Sequence, residues 1–335
     1  MCPPTTPALG PETINRHEAA IYPAMAMLAG MQLDVFTPLK DGPLTGAEIA
    51  AAIGVKPAKL APLLYALVAA ELLTVRDDRF SNTTEADVYL VQGRPSYIAG
   101  SRREFYSDIW QALLKTAASI RAGAPQHKHN FYAMAQEEMA SFFKGQHFNA
   151  LAAGEQLARI YDLSHFRHML DVGAGSGGVS IRGCPGLRVT AADLTQVIPV
   201  TRRFLEEAAV ADRVATSVVD VVAGVPTGTY DVAVMRNLIQ VLSLEDAQAA
   251  VRHVGQALTP GGTILIVGSM IEDTRQSPID LVGENLVFLN IYDHGLIYTE
   301  GEYRALLVEA GFANIDVRRG EMPAGNVLIS AHKLS

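Results

Sequence analysis

Three short stretches carry residue types at spacings suited to holding a nucleoside. The first is Gly173-Ala174-Gly175-Ser176-Gly177-Gly178, which follows directly on Met169-Leu170-Asp171-Val172. A strand feeding such a turn lets a ligand approach bare backbone, and the helix after it offers free N–H groups. The second is Asp193, at the end of the run LRVTAAD and followed by Leu194, where a carboxylate accepts from both hydroxyls of a ribose. The third is Asp220, read as the last residue of a strand Thr216 to Asp220. Its carboxylate suits an adenine amino group, and Val221 suits the face of the ring. Gly173, Gly175 and Gly178 also satisfy the GxGxxG spacing of dinucleotide-binding folds, so the loop and Asp193 alone leave S-adenosylmethionine (SAM) and NAD both open.

These residues need a strand, turn and helix rhythm to position them, and the chain supplies one from His168 onward. HMLDVGAGSGG, LRVTAADL, RVATSVVDVV, YDVAVMRNLIQVL and GGTILIVGS are followed by ANIDVRRG and NVLISAHK. That alternation predicts an α/β fold over 166–335, a Rossmann-like, mostly parallel sheet with helices on both faces and an antiparallel hairpin at one edge. Residues 1–100 read differently. Apolar residues recur at helical spacing from Thr13 to Leu39, and Thr45 with Glu48 forms a capping-box pattern before two short helices broken at Gly54. A helix-turn-helix with a small wing results. Its second helix carries Lys56 and Lys59 and then turns apolar through Leu60, Leu63, Leu64 and Leu67, which suits packing or dimerisation and not DNA. Residues 101–165 read as a helical linker, rich in aromatics, that walls a substrate pocket.

Composition narrows the classes further. In 335 residues, 49% hydrophobic content is ample for two cores, and no apolar run approaches the roughly 18 residues of a membrane span. The N-terminus lacks the pattern of a signal peptide, so a cytoplasmic protein is expected. A net charge of −8 argues against a nucleic-acid surface. Cys2 and Cys184 have no zinc or disulfide spacing, and no metal is expected.

The chain resembles the two-domain SAM-dependent O-methyltransferase family of plants and bacteria. The resemblance rests on FFKGQHFNALAAGEQLARIYDLSHFRHMLDVGAGSG before and through the glycine loop, on ADLTQVIP around Asp193, and on YTEGEYRALLVEAGF near the end. It implies a winged-helix dimerisation domain, a homodimer, and SAM held by Asp171, Gly173, Gly175, Asp193, Leu194, Asp220, Val221 and Arg236. Arg236 would lie on the adenine side. An NAD-dependent oxidoreductase is the reading from another class, and the Asp220 motif weighs against it.

The chain departs from that family at one position. Many members carry a general-base histidine that falls, once this chain's longer AGVPTGTYD loop is allowed for, twenty positions after the adenine aspartate, where this chain has Gln240. Glutamine takes no proton, and a phenol of pKa about 10 is ionised only about one part in a thousand at pH 7, so ordinary O-methylation loses its base. A thioether sulfur has no proton to lose. Relatives of the family S-methylate 4-methylthio-2-hydroxybutyrate on the route to dimethylsulfoniopropionate, and this chain is similar to them in length, plan and missing base. S-methylation of that thioether is therefore the leading expectation, with C- or O-methylation of an aromatic or keto-acid metabolite behind it. A carboxylate acceptor would be met by Arg102, beside Tyr106 and Trp110, with Phe143, His147, Gln240, Asn285, Asn290 and His294 as further candidates on the substrate side.

Overall fold

The computed structural model describes residues 10–183 and 186–334, so Cys2 and Cys184 lie outside the described residues. The chain divides into two compact units between Ser107 and Asp108.

The first unit begins with helices α1 (Glu12–Ala19) and α2 (Ile21–Gln32), the run read as helical from its spacing. Strand β1 (Leu44–Thr45) leads into α3 (Gly46–Ile53) and α4 (Pro57–Ala69), and strands β2 (Leu73–Arg76) and β3 (Arg79–Asn82) form the wing. Helix α5 (Thr84–Leu90) follows, and α6 (Ala99–Leu113) continues into the second unit. Local chemistry explains the helix-turn-helix. The Thr45 hydroxyl accepts from Glu48 N–H while the Glu48 carboxylate accepts from Thr45 N–H, which satisfies two orphan amides at the start of α3. Gly54 then ends α3 at φ 72°, a left-handed value that costs other residues strain. Leu60, Leu64 and Leu67 of α4 bury their side chains with Phe36, Ile49, Leu73 and Phe80, so the apolar stripe goes into a core. Lys56 and Lys59 stay exposed at its start.

The second unit continues through α7 (Thr116–Ala122) and α8 (Gln136–Ile160), then β4 (His168–Val172), α9 (Gly178–Arg182), β5 (Arg188–Asp193), α10 (Ile198–Glu207) and β6 (Val214–Val218). It closes with β7 (Tyr230–Arg236), α11 (Leu244–Ala257), β8 (Leu258–Gly268), α12 (Ile279–Ile291), α13 (Glu300–Glu309), β9 (Phe312–Arg318) and β10 (Val327–Lys333). The seven strands run in the order β6-β5-β4-β7-β8-β10-β9. The first five pair in parallel, and β10 pairs antiparallel with both β8 and β9. The expected hairpin is present, with β9 at the edge and β10 inside.

Alternation along the strands sends side chains to two cores. Leu170 and Val172 pack with Val251, Val254 and Leu306 of α11 and α13, whereas Met169 packs with Leu157, Val179 and Leu205 of α8, α9 and α10. Helices therefore cover both faces. The seam between α8 and the start of α9 is especially close. A Cβ at Gly154 would lie 2.9 Å from Val179 Cα, and one at Gly178 would lie 2.5 Å from Ala150 Cβ. Among the described residues no single helix is long and apolar enough to cross a membrane.

One element differs from the sequence reading. Strand β6 stops at Val218, two residues before Asp220. Asp220 turns the chain instead: its carbonyl accepts from Ala223 and Gly224 N–H at 3.0 Å, and its Oδ1 accepts from Val222 N–H at 3.1 Å. Aspartate favours such a turn because its side chain replaces the lost ladder partner.

Candidate functional site

The chain goes from β4 to β5 and β6 on one side of the sheet, and then returns to β7 and β8 on the other. The carboxyl ends of strands at such a reversal leave a crevice where open α/β sheets bind ligands. The glycine loop leaves β4 there, and Asp193 ends β5.

Gly173, Gly175 and Gly177 all have positive φ, at 66°, 54° and 68°, which explains why the loop alternates glycine. Gly175 is also pressed by a neighbour, since a Cβ there would sit 2.7 Å from the Phe143 ring. Asp193 holds the loop in shape: its Oδ2 accepts from Gly175 N–H at 2.8 Å and its Oδ1 from Leu194 N–H at 2.7 Å. Thr201 fixes the other side by donating to Gly175 O at 2.7 Å. Burial raises the Asp193 carboxyl to about 6 against these donors, and the charge of Asp171 adds to the rise. Asp171 is fully buried behind the loop. It accepts from Ser180 Oγ at 2.5 Å and from Ser180 N–H at 3.2 Å, so it anchors α9, and burial raises it to about 6 as well.

On β7 and the residues after it, Arg236 lies within the field of Asp171, which opposes the burial that lowers its guanidinium to about 10. Arg236 Nε, Asn237 Oδ1 and Gln240 Oε1 are buried without hydrogen-bond partners among the described residues. A row of unpaired polar atoms beside a glycine cradle calls for a polar ligand, because each orphaned group costs about 1–3 kcal/mol. Beyond β6, Asp220 Oδ2 accepts from the Tyr132 hydroxyl at 2.9 Å, and Val221 is buried with its carbonyl accepting from His253 Nδ1–H at 2.8 Å. Glycine cradle, ribose-type carboxylate, adenine-type carboxylate and apolar neighbour fit an adenosine-bearing cofactor.

A wall of rings stands against the loop. Phe143 touches Gly175, Phe131 stacks on Phe143 at 6.0 Å and on Tyr292 at 6.4 Å, and Phe142 meets Phe131 edge-on at 5.4 Å. Burial raises the Tyr292 phenol well above its ordinary value. His147 lies 2.9 Å from Ser176 Oγ through Nδ1, with its ring 4.4 Å from Phe204, and burial lowers its pKa.

Several candidates read from the sequence have other engagements. Asn290 is fully buried, accepts from Ser119 Oγ and donates to Thr116 Oγ1 and Leu286 O, and so ties α12 to α7. Asn285 Oδ1 accepts from Ile297 N–H at 2.7 Å and shapes the loop after α12. His294 is exposed. Gln240 is buried, and a Cβ at Gly268 would lie 2.6 Å from its Oε1. Arg102 lies over the Tyr106 ring at 5.9 Å in the first unit, and Trp110 is half-buried in the second. Two features had no signal in the sequence: the reach of Tyr132 to Asp220, and a group formed by Asp108, His127 and His129. Both join residues whose proximity only the fold creates.

A family model described as the O-methyltransferase domain matches residues 117–313, and one described as the O-methyltransferase dimerisation domain matches residues 17–92. The tetracenomycin polyketide synthesis 8-O-methyl transferase TcmO of Streptomyces glaucescens is 29% identical over 322 residues, spanning 93% of this chain and 94% of its own. A 3-hydroxy-5-methyl-1-naphthoate 3-O-methyltransferase of Streptomyces sahachiroi is 26% identical over 96% of this chain and 95% of its own. Among solved structures, human N-acetylserotonin methyltransferase in complex with SAM superposes with a TM-score of 0.85 at 20% identity, covering all of both chains.

Proposed function

The chain belongs to the O-methyltransferase family, and from that membership we propose that it methylates a small molecule whose nucleophile needs no proton removed by residue 240. It is a SAM-dependent methyltransferase, and its cofactor is S-adenosyl-L-methionine. The leading acceptor is the thioether sulfur of 4-methylthio-2-hydroxybutyrate.

The observation that carries this reading is Gln240, buried and unable to ionise at the position where many relatives keep a histidine. For a phenol, forgoing a base forfeits up to about 4 kcal/mol at pH 7; for a thioether it forfeits nothing. Bound at the loop, SAM supplies an electrophilic methyl group on a sulfonium centre. Gly173 and Gly175 admit it to the backbone, Asp193 with Leu194 takes the ribose, Asp220 takes the adenine amine and Val221 the ring face. Asp171 fixes the helix behind the loop, and its charge favours the protonated form of Arg236. Phe131, Phe142, Phe143 and Tyr292 exclude water, which favours attack by an unsolvated sulfur, and their faces attract the positive charge of a sulfonium product.

The same stacked rings favour a second acceptor class, a flat aromatic metabolite methylated on carbon or oxygen, in keeping with the similarity to the polyketide and naphthoate O-methyltransferases of Streptomyces. The proposed assembly is a homodimer. Ile21, Tyr22 and Met25 leave an exposed apolar face on α2 within the dimerisation domain, and Ile14 of α1 is exposed just before it.

Mass spectrometry after incubation with SAM and 4-methylthio-2-hydroxybutyrate tests the acceptor. A product one methyl heavier with a fixed positive charge supports the thioether. Turnover of hydroxylated naphthoates with no such product would move the assignment to the aromatic class.

A further inference from the structure

Asp108, near the end of α6, faces two histidines from the loop after α7. His127 Nε2 lies 2.6 Å from Asp108 Oδ1, and His129 Nε2 lies 2.8 Å from Asp108 Oδ2. A carboxylate only accepts, so both rings present Nε2 to one point. The backbone explains the convergence. His127 N–H donates to Asn290 O at 3.1 Å and His129 N–H to Ile291 O at 2.9 Å, which holds the loop against the end of α12. Between the two histidines, Lys128 pairs with Asp293.

We propose that Asp108, His127 and His129 form a binding site for a divalent transition-metal ion, with zinc the natural occupant. Two imidazoles and one carboxylate are a ligand set that suits Zn²⁺, and it is a poor set for Mg²⁺ or Ca²⁺, which prefer oxygen alone. The three ligand atoms already lie within 4.8 Å of one another. Around a tetrahedral ion with bonds of about 2.0–2.2 Å, ligand atoms stand roughly 3.3 Å apart. The ion therefore enters by separating the nitrogens from the carboxylate by about 0.5–0.7 Å and drawing the two rings together.

Protonation is compatible with loading. A ring facing a carboxylate carries a proton on Nε2, and moving that proton to Nδ1 frees the Nε2 lone pair for an ion. His129 Nδ1 is buried without a partner among the described residues, so the shift exchanges an orphaned acceptor for an orphaned donor. Three protein ligands leave a fourth position, and the half-exposed carboxylate, at 45% side-chain exposure, marks the open side. One carboxylate against a 2+ charge leaves the site net positive, so that position takes water, hydroxide or an anionic oxygen. The site stands beside the ring wall: His129 meets Phe142 edge-on at 5.5 Å and Tyr292 at 6.5 Å. An ion there would tie together α6, the 127–129 loop and the end of α12.

The test uses the full chain without a histidine tag, stripped by chelator, and titrated calorimetrically with Zn²⁺ alone and with Co²⁺ as an optical probe. One ion per chain is expected, with visible cobalt bands of a tetrahedral nitrogen and oxygen site. H127Q and H129Q should each weaken binding by roughly 100-fold, and Zn²⁺ should raise the Tm of the wild type and leave that of D108N unchanged. Failure of the wild-type chain to take up an equivalent of Zn²⁺ overturns the proposal. So does unchanged binding in H127Q, a partly exposed position whose variant is checked for an intact fold by circular dichroism.

Discussion

The hydroxyl of Tyr132 donates to Asp220 Oδ2 at 2.9 Å, across 88 positions of sequence. The phenol thus holds the carboxylate assigned to the adenine amine, and the two donors compete for one oxygen. Tyr132 is 63% exposed, so its bond is a modest one. We predict that Y132F tightens binding of S-adenosylhomocysteine by about 5-fold, equivalent to about 1 kcal/mol. Calorimetry checks this, and weaker binding would show that phenol and adenine share the carboxylate.

Asp193 and Asp171 are each raised to about 6, above the value of about 3.9 for an unfolded aspartate. The native state therefore binds more protons between about pH 4 and 6, and these two groups make stability fall as pH rises through that window. Cofactor binding follows the opposite course, because ribose hydroxyls donate to the ionised form of Asp193. Affinity for S-adenosylhomocysteine should decline below about pH 6, and D193N should weaken it at pH 7.5 while flattening the pH profile. A profile of equal slope in wild type and D193N would remove Asp193 from the ribose site.

Gly175 combines a left-handed φ of 54° with a ring edge where a Cβ would go. G175A should lower stability by about 2–3 kcal/mol, from backbone strain of about 1–2 kcal/mol plus the clash. F143L in the same chain should recover part of the loss by opening space. Denaturant melts of the single and double variants measure the coupling, and strict additivity would mean that Phe143 does not press on the loop.

Gln240 gives a direct test of the acceptor class. With a thioether acceptor, Q240H should leave kcat/KM flat with pH and no higher than in the wild type. With a phenolic acceptor, the same substitution should raise the rate and make it depend on the imidazole pKa, near 6.5.

Sequence legibility follows how locally each feature is determined. The Thr45 and Glu48 box, the stop at Gly54 and the glycine loop are fixed within a few residues, and each stands where spacing put it. Asp193 ends β5 because a strand must end where its polar residue meets the crevice. The pattern Thr216 to Asp220 reads as strand two residues beyond the true end of β6, because it hides a turn made by the aspartate's own side chain. Asn285 and Asn290 show the opposite limit. As sequence they are two amides near a pocket, and only their partners, Ile297 N–H in one case and Ser119 with Thr116 in the other, reveal a structural duty. The meeting of Asp108 with His127 and His129 depends on α12 holding the loop by two backbone hydrogen bonds, which no local pattern encodes.

Helix α8 runs 25 residues without a break, with Phe143 and His147 toward its start and Gly154 wedged against Val179 farther along. A rod seated so tightly that neither Gly154 nor Gly178 has space for a methyl group cannot shift at one point alone. An acceptor that pressed on Phe143 would lean on the backbone of the glycine loop. Its binding would then be coupled to that of the cofactor, and by reciprocity the factor by which cofactor altered acceptor affinity would equal the factor by which acceptor altered cofactor affinity.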